Sequence, residues 1–240
     1  MKSCRFLFPL GGSLLAAAMI ITLVGAGPPP GNKATTLPLE FSRIYWEYNS
    51  SANDLGVHVT LDGEDWNKLR IINPNGKVLF NVVGKGPYNQ LGMTELFFEG
   101  AEPALDEFPL EDLLALFPEG EYDFEGVTVD GETIEGEWQF SHAIPDGPEV
   151  TATVIGSSYL RIDWTAVTST PPGFPVEPLN ITGYQVIVDE VFQVTVPSNV
   201  FSLTVSPEFV ASLGPGEHPI EVLAIEASGN QTLTEASFVK

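Results

Sequence analysis

Apolar and polar residues alternate along most of the chain with a period of two. Val57, Val59 and Leu61 are separated by His58 and Thr60, and Asp62-Gly63 then reads as a turn. Tyr122, Phe124, Val127 and Val129 lead to Asp130-Gly131, and Ile134, Trp138 and Phe140 lie on the return. Such alternation predicts half-buried strands joined by hairpins. Only Leu110 to Phe117 carries a helical pattern, enough for two turns. After the break Ile144-Pro145-Asp146-Gly147-Pro148 come Val150-x-Ala152-x-Val154, then Leu160-x-Ile162-x-Trp164 and a Pro-rich loop from Thr168 to Leu179. Strands are expected over Ile181–Val188, Phe192–Val196 and Phe201–Val205, through the alternating stretch Gly214–Thr232, and near Leu233–Val239. Seven short strands in such a span form the pattern of a β-sandwich.

The two parts of the chain echo each other. Leu113–Glu125 and Phe209–Glu221 both run from a short apolar turn into Gly-Glu, a ring, one residue, an apolar residue and Glu, at an offset of 96. That offset fits one sandwich domain, so two tandem domains of similar plan are expected.

The second part resembles a fibronectin type III domain. Leu160-Arg161-Ile162-Asp163-Trp164 stands where that family places a core tryptophan on its second strand. Ile181-Thr182-Gly183-Tyr184-Gln185-Val186 is similar to its third strand. Leu213–His218, Ile220, Val222, Ala224 and Ala227–Asn230 resemble its turn and sixth strand. The resemblance implies that Ile220, Val222 and Ala224 share a core with Trp164, and that Glu221 and Glu226 face water. His218 stands where the family has a corner tyrosine, whose hydroxyl bonds back to nearby backbone; an imidazole could donate a similar bond. Tyr122 holds that place in the first part, where no second-strand tryptophan pattern aligns.

The expected fold class is all-β: two tandem immunoglobulin-like or fibronectin type III-like sandwiches behind a signal peptide. The expected boundaries are a signal peptide over 1–26, a linker over 27–37, an immunoglobulin-like domain over 38–143, a linker over 144–148 and a fibronectin type III-like domain over 149–240. Lys2 and Arg5 precede an apolar run, Leu14–Val24, and Val24-Gly25-Ala26 fits a cleavage site. The alternative is an uncleaved anchor over Phe6–Gly27. Cys4 is the only cysteine and leaves with the signal, so the mature chain holds no disulfide or thiolate metal site.

Losing Lys2 and Arg5 takes ten basic residues to eight against 32 acidic ones, a net of −24. No Lys or Arg lies between Lys85 and Arg161, an interval with 17 Asp and Glu. Such a field repels phosphate backbones and anionic lipid, which argues against nucleic-acid and membrane-surface partners. It reads as a solvated surface, or alternatively as a divalent-cation site. For calcium the candidate positions are Asn53, Asp54, Asp62, Glu64 and Asp65, then Asp106, Glu107, Glu111 and Asp112, then Asp130 and Glu132.

No nucleophile motif, phosphate-cradling loop or zinc-ligand spacing occurs. His58 lies on the polar face of its strand and reads as a surface residue; His142 adjoins the second linker. Catalytic, cofactor and metal residues are therefore expected to be none, although an acidic pair of the glycosidase type remains an alternative by residue type. Tyr45, Trp46, Tyr48, Trp66 and Trp138 could form a sugar platform if exposed and coplanar; otherwise they are core. The function these readings support is a non-enzymatic binding or structural protein of the periplasm, cell surface or exterior, with a protein or glycan partner. Calcium or carbohydrate binding is the alternative.

Overall fold

The computed structural model describes residues 36–156 and 159–240; the expected signal peptide and most of the first linker lie outside these residues. The first half contains β1 (Thr36–Pro38), β2 (Phe41–Asn49), β3 (Asp54–Ile72), β4 (Val78–Val83), α1 (Pro87–Leu91), β5 (Met93–Glu99), α2 (Leu110–Leu116), β6 (Gly120–Thr128) and β7 (Thr133–Phe140). The second contains β8 (Val150–Ile155), β9 (Tyr159–Trp164), β10 (Ile181–Val188), β11 (Phe192–Pro197), β12 (Ser202–Val205), α3 (Pro207–Ser212), β13 (Glu217–Glu226) and β14 (Gln231–Val239). The chain is all-β in plan. No helix among the described residues is long and apolar enough to cross a membrane.

In the second half a three-stranded sheet, β12-β9-β8, faces a four-stranded one, β11-β10-β13-β14. Trp164 is buried between them, its ring 5.8 Å from that of Tyr184. Ile220, Val222 and Ala224 share that core, as the resemblance implies, together with Val186. Glu226 departs from expectation. It is 5% exposed, because its carboxylate accepts hydrogen bonds from Asn180 N (3.0 Å) and Ser228 N (2.6 Å) and so ties the β13–β14 turn to the start of β10.

The first half follows the same plan with one strand doing double duty. The N-terminal part of β3 pairs with β2 and β5, and its C-terminal part with β4 and β6. The register breaks between Asp62 and Trp66, where the strand passes from one sheet to the other. Asp62-Gly63 is thus a bend inside a strand, not the turn its sequence suggests. A Cβ on Gly63 would come within 2.7 Å of Leu39 Cδ2, so glycine permits the close approach. The reversal comes later, at Asn73–Lys77, where Asn73 Oδ1 accepts from Asn75 N and Lys77 N and Gly76 takes φ +73°. Trp66 sits at the bend with no exposed surface. It ends the first-sheet portion of β3 as Trp164 ends β9, and the intervening Asp-Gly-Glu-Asp hides that correspondence in the sequence.

Both corners form. Tyr122 Oη donates to Pro118 O at 3.0 Å, and His218 Nε2 donates to Gly214 O at 2.9 Å, each four residues back. A short helix precedes each corner strand, α2 before β6 and α3 before β13. The Asp130-Gly131 hairpin forms as read, with Gly131 at φ +87°. β1 pairs in parallel with β7 and takes up Thr36 and Leu37 from the expected linker. The two halves have separate hydrophobic clusters, yet they belong to one compact unit. β14 pairs in parallel with β2, so a single run of sheet extends from β1 through β7, β6, β3, β2, β14, β13 and β10 to β11.

Candidate functional site

The seam between the halves is built from the β13–β14 turn, residues 141–147 and the loop between β9 and β10. Its strand pairing is brief: Gln231, Thr232 and Leu233 lie opposite Glu47, Tyr48 and Asn49. Asn230 fastens it. The side chain is fully buried; Oδ1 accepts from Trp46 N at 2.9 Å, and Nδ2 donates to Ser141 O at 2.8 Å and Ala143 O at 3.2 Å. Ser50 Oγ donates to Leu233 O (2.9 Å), Glu235 N donates to Ser51 Oγ (2.9 Å), and Asn49 Nδ2 donates to Glu235 Oε1 (2.8 Å). The Pro-rich loop joins from the other side. Phe174 is buried in the first half's cluster, 4.9 Å from the Tyr48 ring, while Asp146 N donates to Ser169 O at 2.9 Å. Ile144, read as linker, has no exposed surface and belongs to that same cluster.

One strand away, on the outer face of the sheet, lies a second arrangement. His58 is 4% exposed, not the surface residue its polar-face position suggests. Tyr45, Phe97 and Glu102 close over it: the Tyr45 and Phe97 rings stand 5.2 and 6.2 Å away, and Glu102 reaches over from the loop after β5. His58 Nε2 lies 2.9 Å from Glu102 Oε1 and 3.9 Å from Glu47 Oε1; Nδ1 lies 3.4 Å from Tyr45 Oη. Burial raises the Glu47 carboxyl above the usual range, partly offset by His58 and by the hydrogen bond from Gln231 Nε2. Under the loop carrying Glu102 is an apolar cavity of about 390 Å³ lined by Trp46, Leu55, Val57, Phe108, Leu113 and Phe117.

Among the described residues, two groups bring three potential metal ligands together: Glu47, His58 and Glu102, and Glu121, Asp123 and Glu137. None of the carboxylates singled out in the sequence for calcium belongs to either. No sequence signal marks the first group, because its members come from β2, β3 and a loop and meet only through strand pairing. His142 Nε2 donates to Phe117 O at 2.8 Å and its ring packs beside Trp46 and Phe140. Tyr45, Trp46, Tyr48 and Trp66 are buried and Trp138 is half-buried; all but Tyr45, which covers His58, pack in or against the first half's core, so these rings form no sugar platform.

No family model matches the chain, and no curated protein matches it. Among solved structures it is similar to the spore cortex lytic enzyme SleM of Clostridium perfringens, at 17% identity and TM-score 0.32, over 40% of this chain and 28% of that one. A two-domain fibronectin type III segment of chicken tenascin is similar at 11% identity and TM-score 0.30, over 84% and 99%. The FN1–FN3 domains of chicken CNTN1 are similar at 14% and 0.29, over 85% and 67%.

Proposed function

We propose that this chain is an exported, non-enzymatic module of two β-sandwich domains, residues 38–143 and 149–240, the second of fibronectin type III type. Its work is to hold surfaces for protein partners at a fixed separation and angle, in the periplasm, at the cell surface or outside, once residues 1–26 are removed. The observation that carries this reading is Asn230. A fully buried amide that satisfies three backbone groups of the other half has no role in either core, and serves only to fix one sandwich on the next. Two sandwiches joined by a loose linker would move independently; here Phe174 and the β14–β2 pairing oppose that. The three-against-four arrangement of the second half, with Trp164 enclosed and a corner bond from His218, supports the type III assignment.

Pulsed electron spin resonance tests the rigidity. Labels at Asn81→Cys on β4 and Thr195→Cys on β11, both exposed positions, in a Cys4→Ser background should give one narrow distance distribution. Phe174→Ala should broaden it. A broad distribution in the chain with Phe174 intact would remove the basis for a fixed spacer. Sequencing the amino terminus of the protein recovered outside the cytoplasm should read from Gly27.

A further inference from the structure

The rigid seam leaves the cluster around His58 without a task, since none of its polar atoms fastens one half to the other except through Gln231. We propose that Glu47, His58 and Glu102 form a mononuclear site for a divalent first-row transition-metal ion of the zinc class.

Geometry is the first argument. The imidazole nitrogen and the two carboxylate oxygens all lie within 4.8 Å of one another. Ligands at about 2.1 Å from a tetrahedral ion stand about 3.4 Å apart. Nε2 is 2.9 Å from one carboxylate oxygen and 3.9 Å from the other, so adjustments of about half an ångström bring both to bonding separation. Three protein donors leave a fourth position for water, the pattern of sites that bind metal without enclosing it.

The surroundings are arranged for the same end. Metal-binding imidazoles have their second nitrogen held by a polar partner, which sets ring orientation and tautomer. Tyr45 Oη stands at 3.4 Å from Nδ1 and leaves Nε2 directed at the carboxylates. Gly56, opposite Glu47 in the β2–β3 ladder, lets the Glu102 side chain cross the strand; any Cβ there would collide with that side chain. Glu99 lies opposite His58 on β5 and adds a third negative group. An imidazole donor selects a transition metal over calcium, which takes oxygen ligands only.

Cobalt titration of the metal-free full-length chain tests the site. One equivalent should bind with the visible absorption of a low-symmetry four-coordinate ion, and one equivalent of zinc should abolish it. Glu102→Gln, at a half-exposed loop position, should weaken binding by about 10- to 100-fold or more, and His58→Ala should remove it. Any cobalt held by Cys4 would show a thiolate charge-transfer band and would be the same in Glu102→Gln, so the difference between variants reports this site alone. The proposal is overturned if no stoichiometric cobalt band develops, or if Glu102→Gln binds as tightly as the parent. Millimolar calcium should leave the band unchanged; displacement by calcium would overturn the metal class.

Discussion

Asn230→Ala is the most direct probe of the seam. The change deletes three hydrogen bonds, from Trp46 N and to Ser141 O and Ala143 O. At about 1 kcal/mol net for each, the bonds alone account for about 3 kcal/mol. Trp46 is fully buried, and an N–H stranded there adds a desolvation penalty of about 1–3 kcal/mol. The Ser141 carbonyl is partly exposed and can take up water, which lowers the total. The expected loss is therefore about 3–5 kcal/mol, a large part of a total stability of about 5–15 kcal/mol. Asn230→Asp keeps the acceptor for Trp46 N but turns a carboxylate toward two carbonyls, and should destabilise at least as much. Equilibrium urea unfolding followed by tryptophan fluorescence and by circular dichroism measures both variants. Three of the four tryptophans lie in the first half and Trp164 in the second, so the two probes separate if the halves unfold separately. The parent should show one coincident transition and Asn230→Ala two. A loss below about 1 kcal/mol, with the probes still coincident, would refute the claim that this amide couples the halves.

Three further outcomes follow from the same structure. Trp164→Ala should cost about 3–5 kcal/mol by cavity formation, read as a lower urea midpoint for the second half. Tyr122→Phe removes the corner bond to Pro118 O and should cost about 1 kcal/mol, measured the same way. His218 donates to the Gly214 carbonyl and faces Asp189; these contacts raise its pKa, so its proton is held more tightly folded than unfolded. Its contribution is complete below about pH 6.5 and is lost as pH rises through the folded value. The thermal midpoint should fall over that window, and His218→Tyr, which keeps a donor without the charge, should flatten that part of the profile.

The period-two pattern placed the strands of the second half and part or all of β3, β6 and β7, because one buried face per strand is a local property that alternation records directly; β1, β2, β4 and β5 were not read from it. The hairpin at Asp130-Gly131 and the corners at Tyr122 and His218 were legible for the same reason: each depends on residues no more than four apart. Asp62-Gly63 misled because a turn and a bend through a strand call on the same residue types, and only the later pairing with β6 and β4 decides between them. The resemblance implied that Glu226 faces water, although Asn180 N and Ser228 N, in the loop before β10 and in the β13–β14 turn, supply the donors that bury it. His58 followed the polar face correctly, but the face is covered by Glu102, 44 residues on. Asn230 reads as one more turn residue; its partners lie 87 to 184 positions away, and no local pattern carries that information.

The shared plan of the two halves explains why the loop from 165 to 180 is long. In each sandwich the chain must cross from one sheet to the other. In the first half that crossing is a bend within β3, and at the bend Gly63 meets Leu39, which with Glu40 joins β1 to β2. In the second half the crossing is opened into the Pro-rich loop, which meets residue 146 through Ser169 O and reaches the preceding sandwich through Phe174. The same place on both sandwiches therefore grips the chain that enters them. A bend suffices where only a single residue must be held. Where a whole preceding domain must be held, the crossing has to reach farther, and a phenylalanine delivered into that domain's core supplies the apolar burial that three paired residues of β14 and β2 cannot. The prolines limit the conformations the loop would otherwise lose on ordering, so the extension reaches Tyr48 as a strut, and the loop's composition follows from the distance it has to span.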